Sequence, residues 1–300
     1  MYNNIDSFAN AVAQIIEAQA QNYFPNTFEV NTVEIKEVTK NNDQHLHGLL
    51  ITKKGSNIAP NIYLESYYDM YKNGEEMDTI IDEIARVRIY HDTPDINTDD
   101  LTNLDKVRDK ITVRIFKADL NGEYLVNKPC RMVEDLAVTY VVNLGNDFTG
   151  QMAMPITYDI LKHYEISEEE LDKIAMDNLA KTEFDFRSMY DVLKEMVPEG
   201  FPMPPVDDRM YVLTNKTKIN GAAAILDKGI MNKIAERLGC SFVILPSSIH
   251  EVIILKVEEN MSVDDLKELI GDVNNTELDP KEVLSDHPYI YSRKNGLMSI

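Results

Sequence analysis

The segment Pro246-Ser247-Ser248-Ile249-His250-Glu251 brings a hydroxyl, an imidazole and a carboxylate within a few positions. Those are the residue types of a nucleophile, its general base and the acid that orients the base. Ser248, His250 and Glu251 are therefore the candidate catalytic residues of a hydrolase. Two considerations weigh against it. Catalytic triads converge from separate loops, and no Gly-x-Ser-x-Gly elbow exposes the serine. The competing reading is a turn, in which the proline and serines serve backbone amides and His250 opens a strand.

His45 and His47 form a second constellation. Side chains two apart on a strand point the same way, so both imidazoles can reach one metal ion, with Asp43 or Glu65 completing the site. The competing reading is a polar strand face beside a turn. His91-Asp92 and His287 stand alone and are expected in solvent. A third group is aromatic. Tyr67, Tyr68 and Tyr71, with Tyr63 before them and Tyr90 further on, recur at helical spacing, a pattern that suits a partner interface or the rim of a core.

Other chemistries leave no trace. No Gly-x-x-x-x-Gly-Lys or Gly-x-Gly-x-x-Gly run is present, and Glu168 to Glu170 lack the alternating ligands and central glycine of a calcium loop. No cofactor is expected. Cys130 and Cys240 have no second thiol or histidine at ligand spacing and read as buried free thiols. Thirty Lys and Arg against fifty-one Asp and Glu give a formal charge of −21. Such a surface repels phosphate backbones, so direct nucleic-acid binding is not expected; the acidity suits a basic protein partner or mimicry of DNA, although it more often serves solubility. The apolar runs are too short for a bilayer, and Met1-Tyr2-Asn3-Asn4 does not open a secretory signal. The expected location is the cytoplasm.

The elements that must position these residues follow from period and punctuation. Ile5, Phe8, Val12, Ile15 and Ile16 predict a helix over 3–22 stopped by Pro25. Strands over 28–35 and 45–52 flank Asn41-Asn42-Asp43 as a hairpin. Helices follow over 65–72 and 75–90. A middle stretch carries a short helix near 99–108, strands over 111–116, 136–144 and 151–156, and a helix opened by Ser167 and Glu170 as a capping box. A further helix is predicted over 186–196. Pro198-Glu199-Gly200-Phe201-Pro202-Met203-Pro204-Pro205 reads as a linker or stiff crossing. Beyond it, a β-β-α-β-β-α pattern is predicted: strands 210–214 and 222–226, helix 227–238, strands 241–245 and 251–257, and helix 263–273. A short helix from Asp279 and an edge strand at 289–292 complete the chain.

Several stretches resemble a known family. They are Gly48-Leu49-Leu50-Ile51, Asn57-Ile58-Ala59-Pro60-Asn61-Ile62-Tyr63-Leu64-Glu65, Asp135-Leu136-Ala137-Val138, Asn220-Gly221-Ala222-Ala223, Leu245-Pro246-Ser247-Ser248-Ile249-His250-Glu251-Val252 and Leu284-Ser285-Asp286. Together they resemble a domain-of-unknown-function family from Gram-positive anaerobic bacteria that spans nearly the whole chain. The resemblance implies a bacterial cytosolic setting and supplies no catalytic residues.

Successive strands joined by turns too short for crossovers predict an α+β fold. Its sheets are antiparallel or mixed, with helices packed on one face, in two to three units. The units expected are 1–95 (α-β-β-α-α), 96–200 (α+β) and 201–300 (β-β-α-β-β-α). The function expected is an acidic, non-enzymatic binding or adaptor protein with Tyr67, Tyr68 and Tyr71 at its interface. The alternative is a hydrolase or metal-dependent enzyme centred on Ser248, His250 and Glu251, with His45 and His47 as metal ligands.

Overall fold

The structure is a computed structural model that describes residues 2–56, 58–91, 97–147, 150–198, 201–203, 205, 207–246, 248–257, 262–276 and 278–300. Asn57, Asp92, the boundary expected at 95–96, Gly200, Pro204 and Ser247 lie outside the described residues. The chain forms two compact units. One comprises Met1–Lys40 with Gln44–Asp100, the other Asn41–Asp43 with Leu101–Ile300.

In the first unit, α1 (Ile5–Tyr23) starts behind Asn4, whose side-chain oxygen accepts the Ser7 N–H at 2.9 Å. That contact satisfies one of the orphan donors of the first turn. Phe8, Ala9, Val12 and Ile16, spaced for one helical face, are all fully buried. Burying side chains of this size contributes about 1.5–3 kcal/mol each for Phe8, Val12 and Ile16. The hairpin strands β1 (Val30–Thr39) and β2 (His45–Lys53) pair antiparallel, with Lys36 opposite Gly48, and β3 (Asn61–Tyr63) adds to β2 with Gly48 opposite Tyr63. Glycine at 48 leaves room for Asn61, whose Oδ1 would lie 2.9 Å from a Cβ there and would have to move aside for any larger residue. Helices α2 (Glu65–Lys72) and α3 (Met77–Tyr90) close the core, α3 contributing Ile80, Ile81, Ile84 and Ala85. Arg88 on α3 is wholly buried; its Nε donates to the Ile51 carbonyl at 2.7 Å and its guanidinium lies 4.6 Å from the Phe28 ring centre.

Two short helices follow, α4 (Thr98–Leu101) and α5 (Leu104–Val107), and then the second unit's four-stranded sheet: β4 (Ile111–Lys117), β5 (Cys130–Val133), β6 (Leu136–Asp147) and β7 (Gly150–Pro155). β6 pairs β4 on one side and both β5 and β7 on the other, all antiparallel. Helices α6 (Tyr158–Tyr164) and α7 (Glu168–Leu179) come next, α7 capped by Ser167 accepting the Glu170 N–H, as the sequence predicts. The six-stranded antiparallel sheet contains β8 (Phe184–Ser188), β9 (Met210–Asn215), β10 (Phe242–Leu245), β11 (Val252–Lys256), β12 (Tyr289–Ser292) and β13 (Gly296–Ser299), in the order β13-β12-β10-β11-β9-β8. β8 precedes the proline-rich stretch and β9 follows it, so both sides of that stretch share one sheet. Alternation splits the central strand: Phe242 and Ile244 face α9 (Lys228–Leu238), while Val243 and Leu245 face α10 (Val263–Thr276).

β5, α6 and β13 are not expected from the sequence, and three further segments differ in kind from expectation. Residues 186–188 extend as part of β8, and the helix, α8, covers only Met189–Met196; Phe184↔Asn215 to Ser188↔Tyr211 pairing outcompetes an isolated helical turn. Gly221–Leu226 is a 3₁₀ helix instead of a strand. Its small side chains let the segment lie wholly buried between the sheets' apolar faces, where alanine has little to gain from a pleated partner. Residues 280–282 form a turn without extending into a helix; the Asp279 carboxylate accepts the Lys281 N–H, the local bond of an Asx turn.

Candidate functional site

Ser248 and His250 both engage the backbone around them. Ser248 is buried, and its Oγ accepts the backbone N–H of His250 at 3.0 Å. The His250 imidazole accepts the Asn220 N–H at Nδ1, 3.1 Å away, and turns Nε2 toward Glu282 at 3.9 Å. The His250 carbonyl accepts from Thr214 Oγ1 at 2.8 Å, and Ile249 exchanges backbone bonds with Ala222 and Glu282. Gly221 packs so closely here that a Cβ would lie 2.6 Å from both Asn215 N and His250 O. The turn reading describes this segment: serine and histidine fix the entry to the 3₁₀ helix. Glu251 contributes its carbonyl to the Ser248 N–H at 3.3 Å.

His45 and His47 do not meet. His45 Nδ1 contacts Glu37 at 2.7 Å on an exposed strand edge. His47 sits between Asp6, 3.0 Å from Nε2, and Glu65, 3.1 Å from Nδ1, and Glu65 Oε1 also accepts the His47 N–H at 2.7 Å. Both ring nitrogens thus face carboxylates on the first turns of two helices. Burial lowers the pKa of His47, but the bonds to Asp6 and Glu65 outweigh it, and the net shift is upward. Among the described residues no group of three or more His, Cys, Asp or Glu side chains is placed to hold a metal.

The tyrosines of α2 face inward. Tyr67 is buried, and Tyr68 and Tyr71 are half-buried with their rings 5.3 and 5.4 Å from Phe8. The Tyr71 hydroxyl accepts the Tyr2 N–H at 3.1 Å. Helical spacing here reports the core of the first unit, with hydroxyls at its rim. Cys130 and Cys240 are free and half-buried.

The densest titratable cluster lies in the second unit. Lys117, the last residue of β4, is 6% exposed. Its Nζ lies 2.5 Å from Asp135 Oδ2, 3.0 Å from Asp286 Oδ1 and 3.1 Å from His287 Nδ1. The Tyr289 hydroxyl donates to Asp135 at 2.8 Å, and its oxygen lies 3.0 Å from the Ser285 hydroxyl. His287 is therefore a member of this network, not the isolated, solvated residue expected from its sequence neighbours. Its Nδ1 is 2.9 Å from Asp286 and its Nε2 3.4 Å from Asp135. Burial works against charge on Lys117, yet the carboxylates of Asp135 and Asp286 raise its pKa. Burial likewise opposes ionisation of Asp135, and Lys117 and Tyr289 overcome it, so that carboxyl is lowered. His287 first, then Lys117 against the pull of burial, holds Asp286 at about 2. Desolvation pushes the Tyr289 phenol far up. The outcome is an ammonium, two carboxylates and a neutral phenol, all fixed in charge near neutrality. Such a set supplies field and hydrogen bonds without a titrating acid or base among those four.

One signal marks Lys117 in the sequence. It shares the parity of Ile111, Val113 and Ile115, so strand alternation places it on the core face, where a charge needs partners. The partners were legible only as resemblance: Asp135-Leu136 and Leu284-Ser285-Asp286 meet at Lys117. Asn220-Gly221 meets Ser248-Ile249-His250, and Gly48 and Asn61 share one strand pair, in the same way.

A groove of about 600 Å³ also opens in the second unit, lined by Ile111, Thr112 and Val113 of β4, Phe184 of β8, Asn215 of β9 and Leu144 of β6 among others. β4 and β8 are each the terminal strand of their sheet among the described residues.

Fold and site together define an α+β protein of three antiparallel sheets with internal charge clusters and no helix, among the described residues, long and apolar enough to cross a membrane. The chain belongs to DUF5688, a family of unknown function, whose model matches residues 5–293. No curated protein and no solved structure matches it.

Proposed function

We propose that this chain is a non-enzymatic binding protein of the bacterial cytosol that accepts an extended, basic segment of a partner protein in the groove between β4 and β8. The observation that carries this reading is the meeting of two sheet-terminal strands on one 600 Å³ groove. A terminal strand presents backbone donors and acceptors that an added strand can pair without requiring a particular sequence; here the Ile111 carbonyl already accepts from Asn178 and the Phe186 carbonyl from Arg237, and the remaining positions are the ones offered. The half-buried side chains of Leu144 and Phe184 offer apolar contacts along the groove, while Ile111 and Val113 line it from a strand whose side chains there are buried. The formal charge of −21 favours a basic occupant. The residue types that suggested hydrolysis or metal chemistry serve backbone amides and carboxylates within the fold, which leaves binding as the better use of the surface.

The test is a random-peptide display on the wild-type chain, with selected peptides mapped by amide chemical shifts. Basic, β-prone peptides that perturb Ile111–Val113 and Phe184, and that lose binding to a groove-filling Thr182→Trp variant, support the proposal. Peptides that map to another face, or no enrichment over a neutral control library, refute it.

A further inference from the structure

A second concavity lies against the Lys117 cluster. Lys267 of α10, Asp286, His287, Ser299 of β13 and Ile300 line a recess of about 360 Å³. Its walls carry opposite charges from separate elements. Lys267 makes no ion pair among the described residues, in a chain where carboxylates outnumber lysines and arginines by fifty-one to thirty. Asp286 directs Oδ1 inward to Lys117 and His287, while most of its side chain, 73%, remains exposed. The imidazole turns both nitrogens toward the cluster, Nδ1 to Lys117 and Asp286 and Nε2 to Asp135, so it forms wall instead of offering a base. Ser299 leans away, donating to Glu134 at 3.2 Å from its hydroxyl and 3.4 Å from its backbone N–H.

We infer that this recess binds a small zwitterion of the α-amino-acid class, its ammonium on Asp286 and its carboxylate on Lys267. The inference is independent of the groove between β4 and β8. Lys267 faces the cavity without an ion pair among the described residues, and Asp286, paired inward through Oδ1, keeps most of its side chain exposed to it. A ligand carrying the complementary pair in one small body satisfies both at once. The Lys117 network makes the anionic wall permanent, because Lys117 and His287 hold the Asp286 carboxyl at about 2 and fix its direction. At about 360 Å³ the recess is at the small end of ligand sites, which start near 300 Å³.

The experiment titrates the full chain with glycine, L-alanine and L-glutamine by calorimetry and amide chemical shifts. N-acetyl-alanine, alanine methyl ester and ethylamine are the comparison ligands. Expected is binding of at least one free amino acid, with shifts at Lys267, Asp286 and Ser299, and a loss of about tenfold or more on masking either terminus. Lys267→Gln, which breaks no ion pair among the described residues, is expected to weaken the amino acid about tenfold and leave ethylamine unaffected. Asp286→Asn is read alongside it, after its melting curve confirms a folded unit. Ethylamine binding as well as alanine would overturn the zwitterion in favour of a simple cation site. Equal binding by N-acetyl-alanine would do the same in favour of an anion site. Absence of any shift at these residues at about 10 mM ligand, roughly tenfold above a Kd of about 1 mM, would overturn the site altogether.

Discussion

Replacing Lys117 with methionine removes a charge and keeps the apolar stem. In the native protein the ammonium is 6% exposed and touches Asp135, Asp286 and His287 at 2.5, 3.0 and 3.1 Å. The variant leaves two carboxylates turned toward one position with no cation between them. Removing one partner from a buried ion pair costs about 3–5 kcal/mol. Asp286 keeps 73% of its side chain in water, and that screening brings the expected cost toward the lower end, about 3 kcal/mol. For a unit of this size each kcal/mol moves Tm by about 2–4 °C, so a fall of about 6–12 °C is expected. The pH dependence has a definite sign. Asp135 and Asp286 have lowered folded pKa values, so their contribution is present above the unfolded value near 4 and fades as pH falls through the folded values, about 2 for Asp286. Without Lys117 the two carboxylates repel, their folded pKa values rise, and acid now favours the folded variant. The gap between wild type and Lys117→Met should therefore narrow from pH 7 to pH 4.5. Urea unfolding followed by circular dichroism at both pH values measures it. A cost under about 1 kcal/mol at pH 7, the size of a surface pair, or a gap unchanged by acid would refute the reasoning.

Three further outcomes are expected. Gly221→Ala forces a methyl to within 2.6 Å of Asn215 N and His250 O, so it should cost about 1–3 kcal/mol by overpacking, measured by urea unfolding, whereas Gly271→Ala, with open space, should not. Ser248→Ala leaves the His250 N–H without its acceptor and should cost about 1 kcal/mol; a hydrolytic serine would instead leave stability untouched. His47 has a raised folded pKa, so its stabilisation is complete below its unfolded value near 6.5 and is lost as pH rises through the folded one. The stability difference between wild type and His47→Gln should thus be largest near pH 5.5 and shrink by pH 8.5, and a difference that grows with pH would contradict the Asp6–His47–Glu65 clasp.

Period and capping carried most of the architecture. The Phe8-Val12-Ile16 spacing, the Ser167–Glu170 box and the β-branched run of β6 each act within a few residues, and each formed its element. What was not legible depended on partners far along the chain. Residues 186–188 carry helical periodicity, but strand pairing with Tyr211 to Leu213 decides their state. The alanines of 222–226 pattern as a strand until the lack of space around Gly221 is known. The site followed the same division. Ser248, His250 and Glu251 were conspicuous because they are adjacent, and adjacency let them bond locally. Lys117, Asp135 and Asp286 were inconspicuous because more than a hundred and fifty positions separate Lys117 from Asp286, 169 in sequence number.

The distribution of buried charge bears on what the surface does. The charged side chains in the fully buried class are Arg88 and Lys117, both cations, and no described Asp or Glu joins them. Lys117 is offset by the carboxylates of Asp135 and Asp286, so the excess of acid in the formal −21 is carried by the rest of the chain. A general excess of that kind is nonspecific: it speeds the approach of any basic chain and fades within about 8 Å at physiological salt. Selectivity must then come from short-range features, and the second unit supplies two of different character. The groove between β4 and β8 offers backbone edges and apolar subsites, for which basic charge sets encounter and strand pairing sets register. The recess at Lys267 and Asp286 offers paired opposite charges, for which net charge is nearly irrelevant. Raising salt should consequently weaken an occupant of the groove far more than an occupant of the recess, and that contrast separates the two sites even before either ligand is identified.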